Sequence, residues 1–207
     1  MLLEIIFLAV VAAFIVNYLI KTLGREDTAR PSTMSSIKKK IEIKDVSYEE
    51  ISVYESSLSK EIKCNLEKIK KLDKKFNLNG FLTRSKEAFK IIIESLNKED
   101  EKTLNMLLHP DVWKVFSKEL KSRKETQTVN KNTLISVLEV KILDCALIEN
   151  TASIKVEIKS EQIKYIQDKG GNLLTGNKSK ILELLDHWTF TKNIDNLNDF
   201  WRLKETS

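Results

Sequence analysis

The sequence predicts an α+β fold: an N-terminal transmembrane helix and tether, then helices packed on a twisted antiparallel sheet of about four strands. Three observations carry this. Residues 1–20 hold 18 apolar residues and a single charge, Glu4. Between residue 51 and residue 120 the apolar residues recur at intervals of three and four, the period of an amphipathic helix. After Thr126 the interval falls to two, most plainly at Ala152, Ile154, Val156 and Ile158, the period of a half-buried strand. Helices first and strands afterwards place the helices on one face of an antiparallel sheet.

The first segment, residues 1–20, reads as a signal-anchor with Leu2, Ile5, Phe7, Phe14 and Ile20 facing lipid. A spanning helix needs about 20 apolar residues, and residues 2–20 supply them with Asn17 as the one polar residue besides Glu4. A cleaved signal peptide would begin with basic residues and end in a small-x-small site; this segment has an acidic start and no such site. Tyr18 and Lys21 suit the membrane interface, and Arg25, Arg30 and Lys38–Lys40 follow the helix while nothing basic but the terminal amine precedes it. The positive-inside rule then places the rest of the chain in the cytoplasm, at a bacterial inner membrane if the source is bacterial. That reducing compartment suits two free thiols, Cys64 and Cys145.

Residues 21–46 contain Gly24, Pro31 and a Ser/Thr cluster without helical period and read as a flexible tether. Asp45 or Ser47 then caps an amphipathic helix over 47–75, whose stripe falls at residues 51, 54, 58, 62, 66, 69, 72 and 76. Its polar face carries Lys68, Lys70, Lys71, Lys74 and Lys75, the residues expected at an anionic membrane surface. The alternative is a solvated helix that packs its stripe on the domain. Cys64 lies beside the stripe and reads as a small packing residue.

Asn79 and Gly80 break the pattern, and a helix over 81–96 follows with Leu82, Ser85, Phe89, Ile92, Ile93 and Leu96 on one face. A short helix carries Leu104, Leu107 and Leu108 and stops before Pro110. Asp111 opens a third, ending near Lys124. Extended segments are expected over 134–147, 152–158 continuing through Ile166, 181–190 and 200–203, with turns at Asn150 and Gly170-Gly171.

Charge narrows the function. The net charge is +5, but residues 21–80 carry 14 Lys/Arg against 10 Asp/Glu, and residues 81–207 carry 21 against 19. A folded part so close to neutral disfavours a nucleic-acid partner, and the excess behind the apolar segment favours anionic inner-membrane lipid. No Gly-rich phosphate loop, GxSxG or HExxH occurs, and two His with two Cys make no conventional zinc set. His109 reads as a capping or partly buried residue rather than a base. His187 beside Asp186 lacks a nucleophile, and Glu161 with Asp186 forms an acid pair only if the fold joins them. The sequence thus points to no enzyme, metal or cofactor. Trp113, Phe116, Trp188, Phe190 and Trp201 are either ordinary core or the lining of an apolar pocket between helix layer and sheet.

Several of these residues stand in a familiar order: Phe76, Phe81-Leu82, Ala88-Phe89, Leu107-Leu108, Val112, Phe116 and Ser160-Glu161, then Asp186-His187-Trp188-Thr189-Phe190 and Trp201-Arg202-Leu203-Lys204-Glu205-Thr206. With this order and its last two blocks, segment 76–207 resembles the Tim-forty-four-like domain, and the anchor, Leu23-Gly24-Arg25 and the Pro31 tether resemble its single-pass bacterial membrane branch. Where the family often has Gly-Ala after the Phe-Leu pair, this chain has Thr83-Arg84-Ser85. The resemblance implies a non-enzymatic adaptor that binds the inner-membrane surface and other membrane or translocation-machinery proteins, with a DnaK-class chaperone among the conceivable partners. It implies an apolar pocket on a helix-covered sheet, which keeps a lipid- or small-apolar-ligand-binding module as an alternative. A ribosome or RNA tether is a further alternative.

Overall fold

A computed structural model of the chain describes residues 54–196 and 198–207. The anchor and the tether, with Leu2, Ile5, Phe7, Phe14 and Ile20, lie outside the described residues. Among the described residues no helix is long and apolar enough to cross a membrane.

The fold is α+β. A helical turn at residues 54–57 leads into α1 (Lys60–Leu72), followed by α2 (Leu78–Lys98), α3 (Glu101–Leu107) and α4 (Pro110–Thr126). The strands are β1 (Thr128–Ile148), β2 (Thr151–Asp168), β3 (Leu173–Gly176), β4 (Leu182–Asn193) and β5 (Arg202–Thr206). They form one antiparallel sheet in the order β1-β2-β4-β5. The fifth strand, β3, was not anticipated. It pairs with the end of β2 beyond β4, so that one edge of β2 is shared between β4 (Thr151 to Gln162) and β3 (Tyr165 to Gln167).

Helix boundaries follow capping chemistry. The stripe read as one helix over 47–75 is interrupted at Leu58-Ser59, because the Ser59 hydroxyl accepts from Ile62 N and starts α1 afresh. Helix α1 also stops earlier than expected, at Asp73, whose N–H bonds back to the Ile69 carbonyl. Asn79 and Gly80, read as breakers, lie in the first turn of α2: Asn77 is the cap, and its Oδ1 accepts from Gly80 N at 2.6 Å. A single Gly in a first turn costs little when the cap holds it. Asp100 caps α3 and His109 caps α4, with Pro110 as the first helical residue.

The core lies between helices and sheet. In β2, Ala152, Ile154, Val156 and Ile158 are buried and alternate with half-exposed Ser153, Lys155, Glu157 and Lys159. By register Val137, Val140, Ile142 and Cys145 of β1 and Trp188 and Phe190 of β4 stand on the same buried side. Helix α2 supplies Phe81, Phe89, Ile92 and Ile93, and Leu203 of β5 closes the far side with no exposed surface. Leu203 also ties the layers: its carbonyl accepts from His109 N at 2.7 Å, and it bridges Leu108. Burying one such leucine contributes about 1.5–3 kcal/mol.

Candidate functional site

Two regions hold the side chains that the sequence singles out: helix α1 with its lysines, and the aromatic residues between α2 and the sheet.

Helix α1 is an integral part of the domain. Ile62, Leu66 and Ile69 are buried in the common core, and Asn65 Nδ2 donates to the Cys145 carbonyl at 2.8 Å. Just before it, Ile142 N donates to the Tyr54 hydroxyl at 2.6 Å. Both bonds fall on the outer edge of β1, which no strand covers among the described residues, so the start of the described chain caps part of a sheet edge. At the helix end, Lys192 Nζ meets Asp73 Oδ2 at 2.6 Å, with side chains only 15% and 12% exposed. Burial alone would raise the Asp73 carboxyl, but hydrogen bonds from Lys192 and Lys75 N, with the charges of both lysines, leave it below the usual carboxylate range.

With the apolar stripe committed to the sheet, Lys68, Lys70, Lys71, Lys74 and Lys75 are all exposed. Leu72, placed on the stripe by spacing, is 58% exposed. Cys64 is exposed instead of packed, because at about 100° per residue it falls on the face of α1 opposite Ile62, Leu66 and Ile69. Cys145 is buried, and burial, aided by the Asp144 charge, pushes its thiol up to about 12.

The five aromatic residues divide into two groups. Trp188, Phe190 and Trp201 come together, and Phe76, Phe81 and Phe89 fill the space among them. Phe89 lies 4.7 Å from Trp188, and Phe81 packs edge-on to Trp201 at 5.0 Å and to Phe190 at 6.1 Å. Such offset and edge-to-face rings are an ordinary aromatic core. Trp113 and Phe116 lie on α4, half-buried against the core and outside this ring cluster.

A small polar group interrupts the buried face of β2. Gln162, 1% exposed, donates to Ser160 Oγ at 2.7 Å and to Asp186 Oδ2 at 3.0 Å. The carboxylate can only accept, which fixes the amide with its oxygen turned away, and that oxygen has no partner among the described residues. Sequence reasoning missed this group, because Ser and Gln at even positions of a strand look like an ordinary fading of the alternation.

The titratable residues are dispersed. Glu161 stands on the solvent side of β2 and accepts from Ser136 at 2.7 Å, whereas Asp186 shares the helix side with Gln162, so the two do not meet. His187 turns away from its neighbour Asp186, as adjacent strand residues must, and its Nε2 faces Glu157 at 3.2 Å. His109 caps α4 with Nδ1 3.4 Å from Asp111 N. Among the described residues no cluster of three or more His, Cys, Asp or Glu is placed to hold a metal.

The fold defines an α+β domain with its helices on one face of an antiparallel sheet and an edge of that sheet capped from outside. The Tim44-like domain family matches over residues 64–207, and the chain belongs to that family of adaptor and binding domains. The match begins inside α1, in keeping with a helix that is part of the core. The chain is similar to uncharacterized protein RP434 of Rickettsia prowazekii (strain Madrid E), with 24% identity over 220 residues covering 97% of this chain and 94% of that protein. Among solved structures it is similar to the intermembrane space region of the chloroplast protein ARC6, at 11% identity and a TM-score of 0.43, covering 61% of this chain and 94% of that one. A conserved protein from Planctomyces limnophilus DSM 3776 matches at 10% identity and a TM-score of 0.32, covering 62% and 92%.

Proposed function

We propose that this protein is a membrane-tethered adaptor at the cytoplasmic face of a bacterial inner membrane, holding partner proteins near the bilayer during protein translocation or membrane-protein handling. The observation that carries the reading is the placement of the basic residues. The sequence puts a tether of 26 residues, 21–46, between the apolar segment and the domain. The first full helix of that domain buries its apolar side and leaves Lys68, Lys70, Lys71, Lys74 and Lys75 exposed. Such a helix meets anionic lipid through charge, each lysine near the surface contributing about 1 kcal/mol. Translocation-machinery proteins are the partners in this reading, and a DnaK-class chaperone is one that a binding assay can include.

The test is made in membrane vesicles of known sidedness. Inside-out vesicles should expose residues 21–207 to protease and right-side-out vesicles should protect them. A domain cleaved only from the periplasmic side sinks the proposal. Photo-crosslinkers placed at Lys70 and Lys74 should capture lipid or inner-membrane proteins.

The alternative, a lipid- or small-apolar-ligand-binding module, is less favoured because Phe76, Phe81 and Phe89 occupy the space among Trp188, Phe190 and Trp201.

A further inference from the structure

At the other end of the sheet the strands outrun their cover. Burial in β2 alternates strictly up to Gln162, and from residue 163 to Asp168 every position on both faces is half-exposed. Beyond it stands the β3 hairpin. Residues 172–181 are exposed without interruption, and all four positions of β3 are bare. Yet the stretch from β3 to the start of β4 carries three large aliphatic side chains: Leu173 is 48%, Leu174 55% and Ile181 52% exposed. One exposed leucine needs no explanation, but three large aliphatic residues within nine positions mark a contact surface. The hairpin is held in shape. Asp168 accepts from Asn172 N at 2.9 Å and from its side-chain amide at 2.8 Å, and Gly176, at φ +87°, lets β3 approach so closely that a Cβ would lie 2.4 Å from the Lys164 carbonyl oxygen.

Lysines predominate around these side chains. Lys169, Lys178 and Lys180 flank the aliphatic residues, and among the described residues none of them pairs with a carboxylate. Lys178 donates to the Gly171 carbonyl at 3.0 Å and lies 5.5 Å over the Tyr165 ring. The one acid in this stretch, Asp168, has its carboxylate engaged by Asn172. Nearby Glu183 is paired with Lys159 at 2.8 Å. Aliphatic side chains with a lysine rim fit an anionic phospholipid surface: the tips enter the headgroup boundary while the ammonium groups meet phosphate. A bilayer can also surround a tip that is bare on both faces.

We infer that the Leu173–Gly176 hairpin is a second docking element for anionic lipid, separate from the α1 lysines. It rests on the reading that the chain works at a membrane. The two contact points lie far apart: Asn65 of α1 bonds Cys145, opposite Ile154, and the 14 residues from Ile154 to Asp168 span about 45 Å at strand rise. A domain touching the bilayer at both points lies along it instead of standing off on its tether.

The test uses the full chain with Cys64→Ser and Leu174→Cys, labelled with an environment-sensitive fluorophore and reconstituted into vesicles whose lipids carry a quencher. Quenching is expected with phosphatidylglycerol present and not with phosphatidylcholine alone. Each of Lys169→Gln, Lys178→Gln and Lys180→Gln should weaken it about fivefold. Resistance to carbonate extraction reads the anchor separately. A chain that resists extraction while its probe stays in water in both vesicles overturns the hairpin assignment and leaves the anchor intact. An extractable chain whose probe is quenched by anionic vesicles removes the anchor and keeps the hairpin. Shielding that needs added protein, or that grows with chain density in the vesicle, assigns the surface to a protein partner or a second copy and overturns the lipid assignment.

Discussion

The two ends of the sheet handle exposed surface in opposite ways. At the α1 end, polar groups are matched one by one: Tyr54 on Ile142 N, Asn65 on the Cys145 carbonyl, Asp73 on Lys192. The apolar side of the helix is buried there and lysines face outward. At the β3 end residues 172–181 are exposed, and leucines stand in solvent beside lysines that meet no carboxylate among the described residues. A helix that resembles a membrane-inserting element by sequence pattern is thus committed to the core. Leu173, Leu174 and Ile181, exposed within nine residues, belong to a segment whose pattern reads as an unremarkable turn.

Four measurements would break or sharpen that contrast. The largest effect is expected where the layers join: Leu203→Ala should cost about 3–5 kcal/mol in urea unfolding, since its side chain is fully buried and its backbone anchors α4. Next, Asp73→Ala should cost about 2 kcal/mol by leaving Lys192 without its partner in a mostly buried place. Because the Asp73 carboxyl is held below its usual range, its stabilisation is complete above the ordinary pKa of about 3.9. It is lost as the pH falls through the lower native value, so Asp73→Asn should flatten the acid limb of the stability curve. Gly176→Ala should be felt only locally, at about 1–3 kcal/mol of strain, seen as faster amide exchange in β3 with an unchanged midpoint for the rest. The smallest effect is expected from Leu174→Ser, within about 0.5 kcal/mol. A larger loss would mean that the leucine packs within its own domain and would remove the contrast.

Much of the layout was legible, and the exceptions have physical causes. The helix-then-strand order and the alternation in 152–158 follow from side-chain period. Caps decided the boundaries: Ser59 restarts a helix whose stripe runs on through it, and Asn77 makes Gly80 harmless. Period alone could not reveal β3, because Leu173-Leu174 has no alternation and its pairing is set by Gly176 and the Asp168 turn. Burial also overrode pattern at Leu72, which lies on the rim of the α1 stripe, and at Cys64, which at about 100° per residue falls on the face opposite Ile62, Leu66 and Ile69. The pairing of Trp188 with Phe89 depends on a strand meeting a helix about a hundred positions away, which no local pattern records.

The long ladder between β1 and β2 has a consequence for how the chain acquires its shape. Its partners run from Ile148–Thr151 out to Thr128–Asp168 around a turn in which Glu149 adopts φ +51°. Every pair in it is therefore nested about one reversal of the chain, and each closes a loop only slightly longer than the one before. Such nesting lowers the entropy cost of each successive step. The strand pair should assemble early, from the turn outward, and give the helices a finished surface on which to condense. Substitutions at Glu149 and Asn150 should slow refolding, whereas substitutions in β5 should chiefly speed unfolding.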